Sequence, residues 1–481
     1  MKKILIIISF LASQIFLLQS CTKEIELEPT HTIDGDLAFD KIEDYEAALI
    51  GAYAALLSVN YYGSSNGSNA FVTLSDMMTD NFYESNESLN NYLNFTRWNY
   101  TADDLNIEAT WIAAYRVIQQ CNLTLRNIDE LADENPGAVN RVKAQALALR
   151  AFVHFDILRY WGEDTEFNSP LQGIPYVKVF DIEQKPSRPT VAQTYAAIIE
   201  DLQTAGTLVQ DMDQPIQSET STSSDARAYI DDMVINAMLA RIYHYASVPD
   251  SAVKYSSLVI NVRPLAFRED FPLIWQDAST SEVIWSAKMT PLNSGPGDNI
   301  YYPIGNRASY RPTTNLLNLY DRTNDIRFSS YFRAITFPTR IVLVKYLSKQ
   351  AAIAQPDGIV DFKILRTGEM YLIRSEAYYQ MGLEDLALDD LNQLRSARIE
   401  GFVPGSESGP ALQQAIEDER RKELVAEGHR WFDLKRTTRT VNRSTNCTSF
   451  CQLDPGAREW AWPIPQTEIL ANSNISQTNG Y

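Results

Sequence analysis

Histidine and cysteine are scarce in this chain of 481 residues, which has only four of each. The histidines are scattered and form no cluster at metal-ligand spacing (His31, His154, His244 and His429). The cysteines form neither a CxxC motif nor a zinc-binding pattern. The sequence also lacks a phosphate-binding loop, a nucleophile elbow and an HExxH motif. We therefore predict a protein that has no metal, no cofactor and no enzymatic activity.

Positive charge is scarce as well. The chain has 42 Lys and Arg residues against 61 Asp and Glu residues, so its formal net charge is −19 at pH 7. Proteins that bind nucleic acid contact its phosphates with Lys and Arg side chains and release counterions. The charge balance therefore argues against nucleic acid as a partner.

Long apolar runs are limited to one, over residues 4–18, which follows two lysines. Its 15 residues are too few to span a bilayer comfortably. The run ends in Leu-Gln-Ser followed by Cys21, which resembles a bacterial lipobox. We predict a signal peptide over residues 1–20, lipidation of Cys21, and a tether over residues 21–39 held at a membrane by acyl chains. The alternative is an ordinary secretory signal with an incidental cysteine.

The three remaining cysteines are predicted to have structural roles. Cys121 lies within a helical pattern and is expected to be a small buried apolar residue. Cys447 and Cys451 are four residues apart in a predicted loop, close enough for a disulfide in an oxidising compartment. The sequence leaves open whether these two pair.

Helical periodicity is the strongest pattern in the chain. Residues 365–395 predict two helices joined at Gly382, where glycine permits the reversal. Tyr371, Tyr378 and the small Ala387 match the pattern of a tetratricopeptide hairpin, in which rings fill the groove between two closely packed helices. Both tyrosines are therefore expected in the core.

One such hairpin cannot bury its outer face, so further copies are expected. Similar patterns recur in an N-terminal region (40–260) and a C-terminal region (363–481) and give about four helical hairpins. The intervening region (261–362) is rich in loops, with a half-buried strand predicted over residues 283–289 and a second over residues 341–344. The predicted fold is mostly α: a tetratricopeptide-like scaffold with an irregular, loop-rich region containing short strands.

Charged residues of both signs recur at helical spacing near the C-terminus. The set comprises Glu419, Arg420, Glu423, Glu427, Arg430, Asp433 and Arg436. It could be interpreted as a group of catalytic carboxylates, but i, i+3 and i, i+4 spacing also pairs opposite charges along one helix. We therefore predict a structural role, in ion pairs along one long helix over residues 411–434 or in capping neighbouring helices.

The same C-terminal segment resembles a known family. ERRKELVAEGHRWFDLKR, at residues 419–436, and Pro-Ile-Pro-Gln, at residues 463–466, are similar to two motifs of the SusD/RagB family, the outer-membrane nutrient-binding lipoproteins of Bacteroidetes. ALRAFVHFDILRYWG, at residues 148–162, and LIGAY, at residues 49–53, resemble its N-terminal signatures. The resemblance spans essentially the whole mature chain.

The resemblance implies a lipid-anchored protein exposed on the outer membrane. It implies capture of a nutrient, most often a glycan, and delivery to a SusC-like TonB-dependent transporter. Three alternatives remain open: capture of peptides or another non-sugar nutrient by the same fold, a tetratricopeptide scaffold for protein partners, and a hydrolase on a helical fold.

Aromatic side chains in loops are the candidates for ligand binding, because the C–H face of a pyranose stacks on a flat apolar surface. Two predicted loop segments, at residues 60–100 and 293–312, contain such rings together with planar polar groups that can bind hydroxyls. The candidate rings are Tyr61, Tyr62, Tyr83, Trp98, Tyr301, Tyr302 and Tyr310, and the polar partners are Asn99, Asn299 and Arg307.

Overall fold

A computed structural model describes residues 39–64, 71–181, 183–216, 227–290, 296–302, 305–349, 358–443 and 446–481. The predicted signal peptide and Cys21 lie outside these residues, as does the predicted tether up to residue 38. No helix in the described part of the chain is long and apolar enough to cross a membrane.

The secondary structure of the described residues is mostly helical. The α-helices are α1 (Ile42–Leu56), α2 (Phe71–Met77), α3 (Leu93–Thr96), α4 (Leu105–Leu125), α5 (Pro136–Trp161), α6 (Val191–Leu208), α7 (Asp232–Tyr245), α8 (Pro249–Val262), α9 (Phe271–Ile274), α10 (Thr314–Leu317), α11 (Ile326–Tyr331), α12 (Thr367–Gln380), α13 (Glu384–Arg398), α14 (Gly409–Glu423), α15 (Arg430–Arg436) and α16 (Gln466–Ala471). Short 3-10 helices lie at Ile128–Leu131, Val209–Asp211, Pro296–Asn299 and Arg458–Trp460.

The strands are short and form antiparallel pairs. They are β1 (Phe82–Glu84), β2 (Val283–Ala287), β3 (Tyr301–Tyr302), β4 (Arg307–Ala308), β5 (Tyr310–Pro312), β6 (Phe332–Thr336), β7 (Thr339–Leu343), β8 (Phe362–Arg366), β9 (Val441–Asn442) and β10 (Gln452–Leu453). The pairs are β1 with β5, β2 with β8, β3 with β4, β6 with β7 and β9 with β10.

Four packed helix pairs form the scaffold. Helix α1 packs on α4, α5 on α6, α7 on α8, and α12 on α13. Neighbouring pairs also touch, since α4 packs on α5 and α8 on α12. The predicted fold class, a mostly helical scaffold of about four hairpins with short strands, is confirmed.

The α12–α13 hairpin shows why its residue types are needed. Gly382 at the turn has a φ of +75°, which favours glycine. The Ser375 hydroxyl donates to the Ala387 carbonyl at 2.7 Å, so the helices approach closely at this small residue. Tyr371 is buried as predicted, whereas Tyr378 is only partly buried and packs against a small satellite cluster.

The strand predicted over residues 283–289 corresponds to β2. Every residue of β2 is buried, so the prediction that this strand is buried on one face only is wrong. Its partner β8 is also buried throughout and was not predicted. Helix α7 packs on both strands, and polar side chains within the pair have buried partners. Lys363, for example, donates to the Asp361 carbonyl at 2.7 Å. The strand predicted over residues 341–344 corresponds to β7.

The long helix predicted over residues 411–434 is divided into α14 and α15. The chain bends between them, where Ala426 and Gly428 have positive φ values of 58° and 86°. The break redirects the charged residues toward other elements. Pairs within a helix do form, as Glu419 with Lys422 and Asp433 with Arg436, but the single long helix that was predicted to carry them is wrong.

Glu423 shows the actual arrangement. Its carboxylate forms ion pairs with Arg327 at 3.0 Å, Arg366 at 2.9 Å and Arg398 at 3.0 Å, and all four side chains are buried. Burial opposes ionisation, but the three guanidinium groups outweigh it and hold the pKa of Glu423 well below its usual range. This cluster joins α11, β8, α13 and α14.

The C-terminal motif packs against the N-terminal half. The Trp161 indole donates to the Pro463 carbonyl at 2.9 Å, and the Trp462 amide donates to the Tyr160 carbonyl at 2.7 Å. The rings of Trp161 and Trp462 meet edge to face with centroids 5.1 Å apart. The residues that suggested the resemblance thus stabilise the fold.

Candidate ligand-binding site

The β3–β4 hairpin presents one aromatic ring inward and one outward. Tyr301 lies opposite Ala308, and Tyr302 lies opposite Arg307. Because side chains alternate along a strand, each opposed pair shares a face. Tyr301 and Ala308 are buried beside Val342, whereas Tyr302 and Arg307 are only partly buried. Of the two adjacent tyrosines, Tyr302 is the one available to a ligand.

Gly305, shortly before β4, lies close to the Tyr302 ring. A Cβ atom at Gly305 would lie 3.1 Å from Cδ1 of Tyr302, so glycine leaves room for the ring. The backbone oxygen and the side-chain oxygen of Asn306 accept from the Arg340 guanidinium at 2.7 Å and 3.0 Å. These contacts tie the hairpin to β7 and fix its position.

A second hairpin places an exposed ring beside the first. Thr336 and Thr339 pair across the β6–β7 turn, which leaves Phe337 at its tip with 87% of its surface exposed. The Asn306 side-chain amide donates to the Phe337 carbonyl at 3.3 Å, so the two turns touch. We call Tyr302, Gly305, Asn306, Arg307 and Phe337 the hairpin-tip site.

Glu87 connects this site to β5 and β7. Its carboxylate accepts from the Ala308 amide at 2.8 Å, pairs with Arg311, and lies 3.3 Å from the Arg340 guanidinium. Burial opposes ionisation of Glu87, but these three groups outweigh it and lower its pKa. The carboxylate is therefore ionised at neutral pH and braces the strands behind the site.

Tyr83 extends the same surface. It lies on β1 directly opposite Arg311 of β5, and both side chains are partly buried. Asn99, in the loop after α3, is exposed. Four members of the predicted set are thus at least partly exposed: Tyr83, Asn99, Tyr302 and Arg307.

The other predicted residues are buried, which corrects the expectation that they form an exposed surface. The Tyr61 and Tyr62 hydroxyls both donate to Asp156, at 2.8 Å and 2.7 Å. The Trp98 indole donates to the Met78 carbonyl at 2.9 Å, and the Arg443 guanidinium lies over its ring. These three rings belong to the core because segments distant in sequence cover them.

Asn299 and Tyr310 are also buried. The Asn299 side-chain oxygen accepts from the Tyr92 hydroxyl at 3.2 Å. Tyr310 lies opposite Glu84 across the β1–β5 pair, and burial raises the pKa of its hydroxyl above the ordinary value. Both therefore belong to the packed interior.

The sequence interpretation missed Phe337, Glu87, Arg311 and Arg340. A signal for Phe337 was present, since Phe-Pro lies between two threonines shortly before the apolar run at residues 341–344, and proline there is typical of a turn. No local signal marks Glu87, because its partners lie more than 200 residues away in sequence.

A further exposed ring lies near β1. Cys447 and Cys451 form a disulfide, which decides the alternative that the sequence left open. Phe450, inside the closed loop, is exposed, and the Arg97 guanidinium lies 5.8 Å from its ring centroid. Arg97 also pairs with Glu84 at 3.3 Å, so this ring adjoins β1. The lone Cys121 is buried, as predicted.

Comparison with known proteins assigns the chain to a family. The model for the SusD family matches residues 330–481, and a second, described as starch-binding associating with outer membrane, matches residues 39–243. SusD-like protein P38 of Formosa agariphila is 23% identical and spans 96% of each chain.

Solved structures agree. A SusD superfamily protein of Bacteroides thetaiotaomicron superposes with a TM-score of 0.79 at 24% identity, covering 91% of this chain and 100% of that one. A putative sugar binding protein of Bacteroides vulgatus superposes with a TM-score of 0.76 at 27% identity, covering 92% and 99%. The family models, the relative of nearly equal length and these structures lead to one conclusion: the chain belongs to the SusD/RagB family.

Proposed function

We propose that this protein binds a glycan at the hairpin-tip site and delivers it to a SusC-like TonB-dependent transporter of the outer membrane. The observation that supports binding is the pair of reachable rings, Tyr302 and Phe337, on two braced hairpins beside Arg307. Flat rings on a rigid support suit the apolar face of a pyranose, and nearby amide and guanidinium groups suit its hydroxyls. The B. vulgatus protein described as sugar binding has the same fold and agrees with this proposal.

Two rings give useful but modest affinity. Stacking a sugar on one ring buries about 80–100 Å² of apolar surface, which is worth about 2 kcal/mol. The proposal therefore expects binding of a chain of sugars, with Tyr83 as a further contact on the same surface. Recognition of this kind requires no catalytic group.

Affinity electrophoresis against plant, host and microbial polysaccharides tests binding. Tyr302→Ala should weaken binding to the retained polysaccharide at least fivefold, because a stacked ring contributes about 1–2 kcal/mol. Phe267→Ala is the matched control, since Phe267 is an exposed ring (74%) in the loop after α8. Equal retention of wild type and Tyr302→Ala would place the ligand elsewhere. If no polysaccharide retains the protein but peptides bind it, a non-sugar nutrient is favoured.

Delivery requires a separate docking face, and we assign it to the helical scaffold. A groove of about 330 Å³ runs along α4, where Leu105 and Ile112 are exposed. Thr467 donates to Glu108 at 2.8 Å and holds α16 beside α4, so that exposed Leu470 adds to this apolar area. An exposed apolar area of this kind is typical of a protein interface.

A negative charge introduced into the groove tests docking. Ile112→Asp should abolish co-purification with the purified SusC-like transporter while leaving polysaccharide binding unchanged. Co-purification at wild-type yield would move the interface to another face.

Anchoring through Cys21 completes the proposal, in agreement with the family model described as associating with the outer membrane. Cys21→Ala should release the protein from the membrane, because the apolar run before Cys21 is too short to act as a span. A variant that still fractionates with outer membranes and is exposed at the cell surface would contradict lipid anchoring.

A further inference from the structure

We infer that the hairpin-tip site selects an acidic glycan, one whose pyranose rings bear a carboxylate or a sulfate, through the guanidinium of Arg307. This inference rests on the proposed glycan-binding function. It starts from the position of Arg307, which is the cross-strand neighbour of Tyr302 and is only partly exposed.

The Arg307 guanidinium has no hydrogen bond or ion pair to any described residue. Other arginines nearby do have an acidic partner, since the partly buried Arg311 and the buried Arg340 both pair with Glu87. A cation that is partly removed from water and not paired loses hydration without compensation. An anionic group of a ligand would supply the missing partner.

The charge around the site also favours an anionic ligand. Arg307, Arg311 and Arg340 provide three positive charges and Glu87 provides one negative charge, so these four side chains together carry 3 − 1 = +2. The whole chain has a formal charge of −19 and repels anions over most of its surface. A positive site in an acidic protein attracts an anionic chain to this part of the surface.

The geometry allows stacking and charge pairing at the same time. Tyr302 and Arg307 project from the same face of the β3–β4 pair, and no described ring or cation stacks on Tyr302. A pyranose against this ring would have its substituents beside the guanidinium. The planar guanidinium can then donate two parallel hydrogen bonds to one carboxylate or sulfate, which an ammonium group cannot do with the same geometry.

Matched polysaccharide pairs test the inference. Polygalacturonate, alginate and hyaluronate would each be compared with the carboxyl-reduced form, and dextran sulfate with dextran, by affinity electrophoresis and calorimetry. At least one acidic polysaccharide should bind, its neutral counterpart should bind at least tenfold more weakly, and added salt should weaken binding. The pair that binds distinguishes a carboxylate from a sulfate.

Variants of the full-length protein locate the effect. Arg307→Gln should reduce binding of the acidic polysaccharide at least tenfold and leave the melting temperature unchanged, and Arg307→Lys should restore part of it. Arg116→Gln removes the same charge from an exposed arginine on α4 and should leave binding unchanged. Undiminished binding by Arg307→Gln would overturn the assignment to this residue.

The outcomes separate the two proposals. If neutral polysaccharides bind through Tyr302 and acidic ones do not, the glycan-binding function stands and the acidic selectivity is overturned. If no polysaccharide in either set binds, the proposed function fails and the selectivity fails with it.

Discussion

Arginine side chains have opposite surroundings in the helical scaffold and at the hairpin-tip site. In the scaffold, Arg366 is buried and reaches Glu282, Glu423 and Glu427 within 2.9 Å. At the hairpin tips, Arg307 is partly exposed and has no partner among the described residues. Aromatic rings differ in the same way, since Trp161 and Trp462 pack on each other whereas Phe337 faces solvent.

The difference shows that residue type alone does not identify a binding site in this fold. A buried, paired guanidinium fixes the position of several elements, and its removal leaves charges without partners. An unpaired guanidinium at a braced turn can replace its bound water with a ligand, and the stability of the fold changes little. Substitutions in the two regions should therefore separate into effects on stability and effects on binding.

The largest effect is expected from Glu423→Ala. Three buried guanidinium groups lose a shared carboxylate, so the free energy of unfolding should fall by about 4–5 kcal/mol, measured by chemical denaturation. Glu269→Ala, at an exposed position after α8, should change it by less than about 0.5 kcal/mol. Similar results for the two variants would contradict a structural role for the cluster.

The second largest loss of stability is expected from Trp98→Ala. The ring is buried under Arg443 and its indole has a hydrogen bond, so truncation should lower the free energy of unfolding by about 3–4 kcal/mol. Glycan binding by the folded fraction should stay within twofold of wild type. If the variant is as stable as wild type but no longer binds glycan, Trp98 contacts the ligand, as the sequence predicted.

Acidification should weaken the scaffold through His154. Its Nδ1–H donates to the Arg150 carbonyl at 2.8 Å and its Nε2 accepts from the Val177 amide at 3.0 Å, so the folded state needs the neutral ring. Burial lowers its pKa to about 3, against about 6.5 in the unfolded chain. Below pH 6.5 the unfolded state binds a proton that the folded state does not, so stability falls as pH falls.

His154→Gln tests this contribution. Between pH 7 and pH 5 the wild type should lose about 2 kcal/mol more than the variant. His244 and His429, whose pKa values burial also lowers, remain in both proteins and cancel in the comparison. Equal losses would mean that His154 is protonated in the folded state.

The smallest effect on stability is expected from Phe337→Ala. Since 87% of this residue is exposed, the free energy of unfolding should change by less than about 0.5 kcal/mol, while glycan binding weakens several-fold. Phe267→Ala should change neither quantity. A large loss of stability in Phe337→Ala would place this ring with the core and remove the contrast between the regions.

Local periodicity was enough to predict the scaffold. The reversal at Gly382, the small Ala387 facing Ser375 and the buried Cys121 all follow from patterns within one or two helical turns. Such patterns depend on neighbours three or four residues away, which the sequence shows directly. The break between α14 and α15 was missed because the segment with positive φ at Ala426 and Gly428 is held by a distant element: both backbone amides bond to the Asp76 carboxylate of α2.

The sequence by itself determined which segments are helical and which loops contain aromatic residues. Only the tertiary structure decided which of those rings a ligand can reach. Tyr61 and Tyr62 are buried against a distant segment, where Asp156, about 95 residues later in the chain, accepts hydrogen bonds from both hydroxyls. Tyr302 stays accessible because its neighbour Tyr301 anchors the hairpin instead. Exposure of a loop residue depends on the segments that pack over it, and their approach is not encoded in the residues next to it.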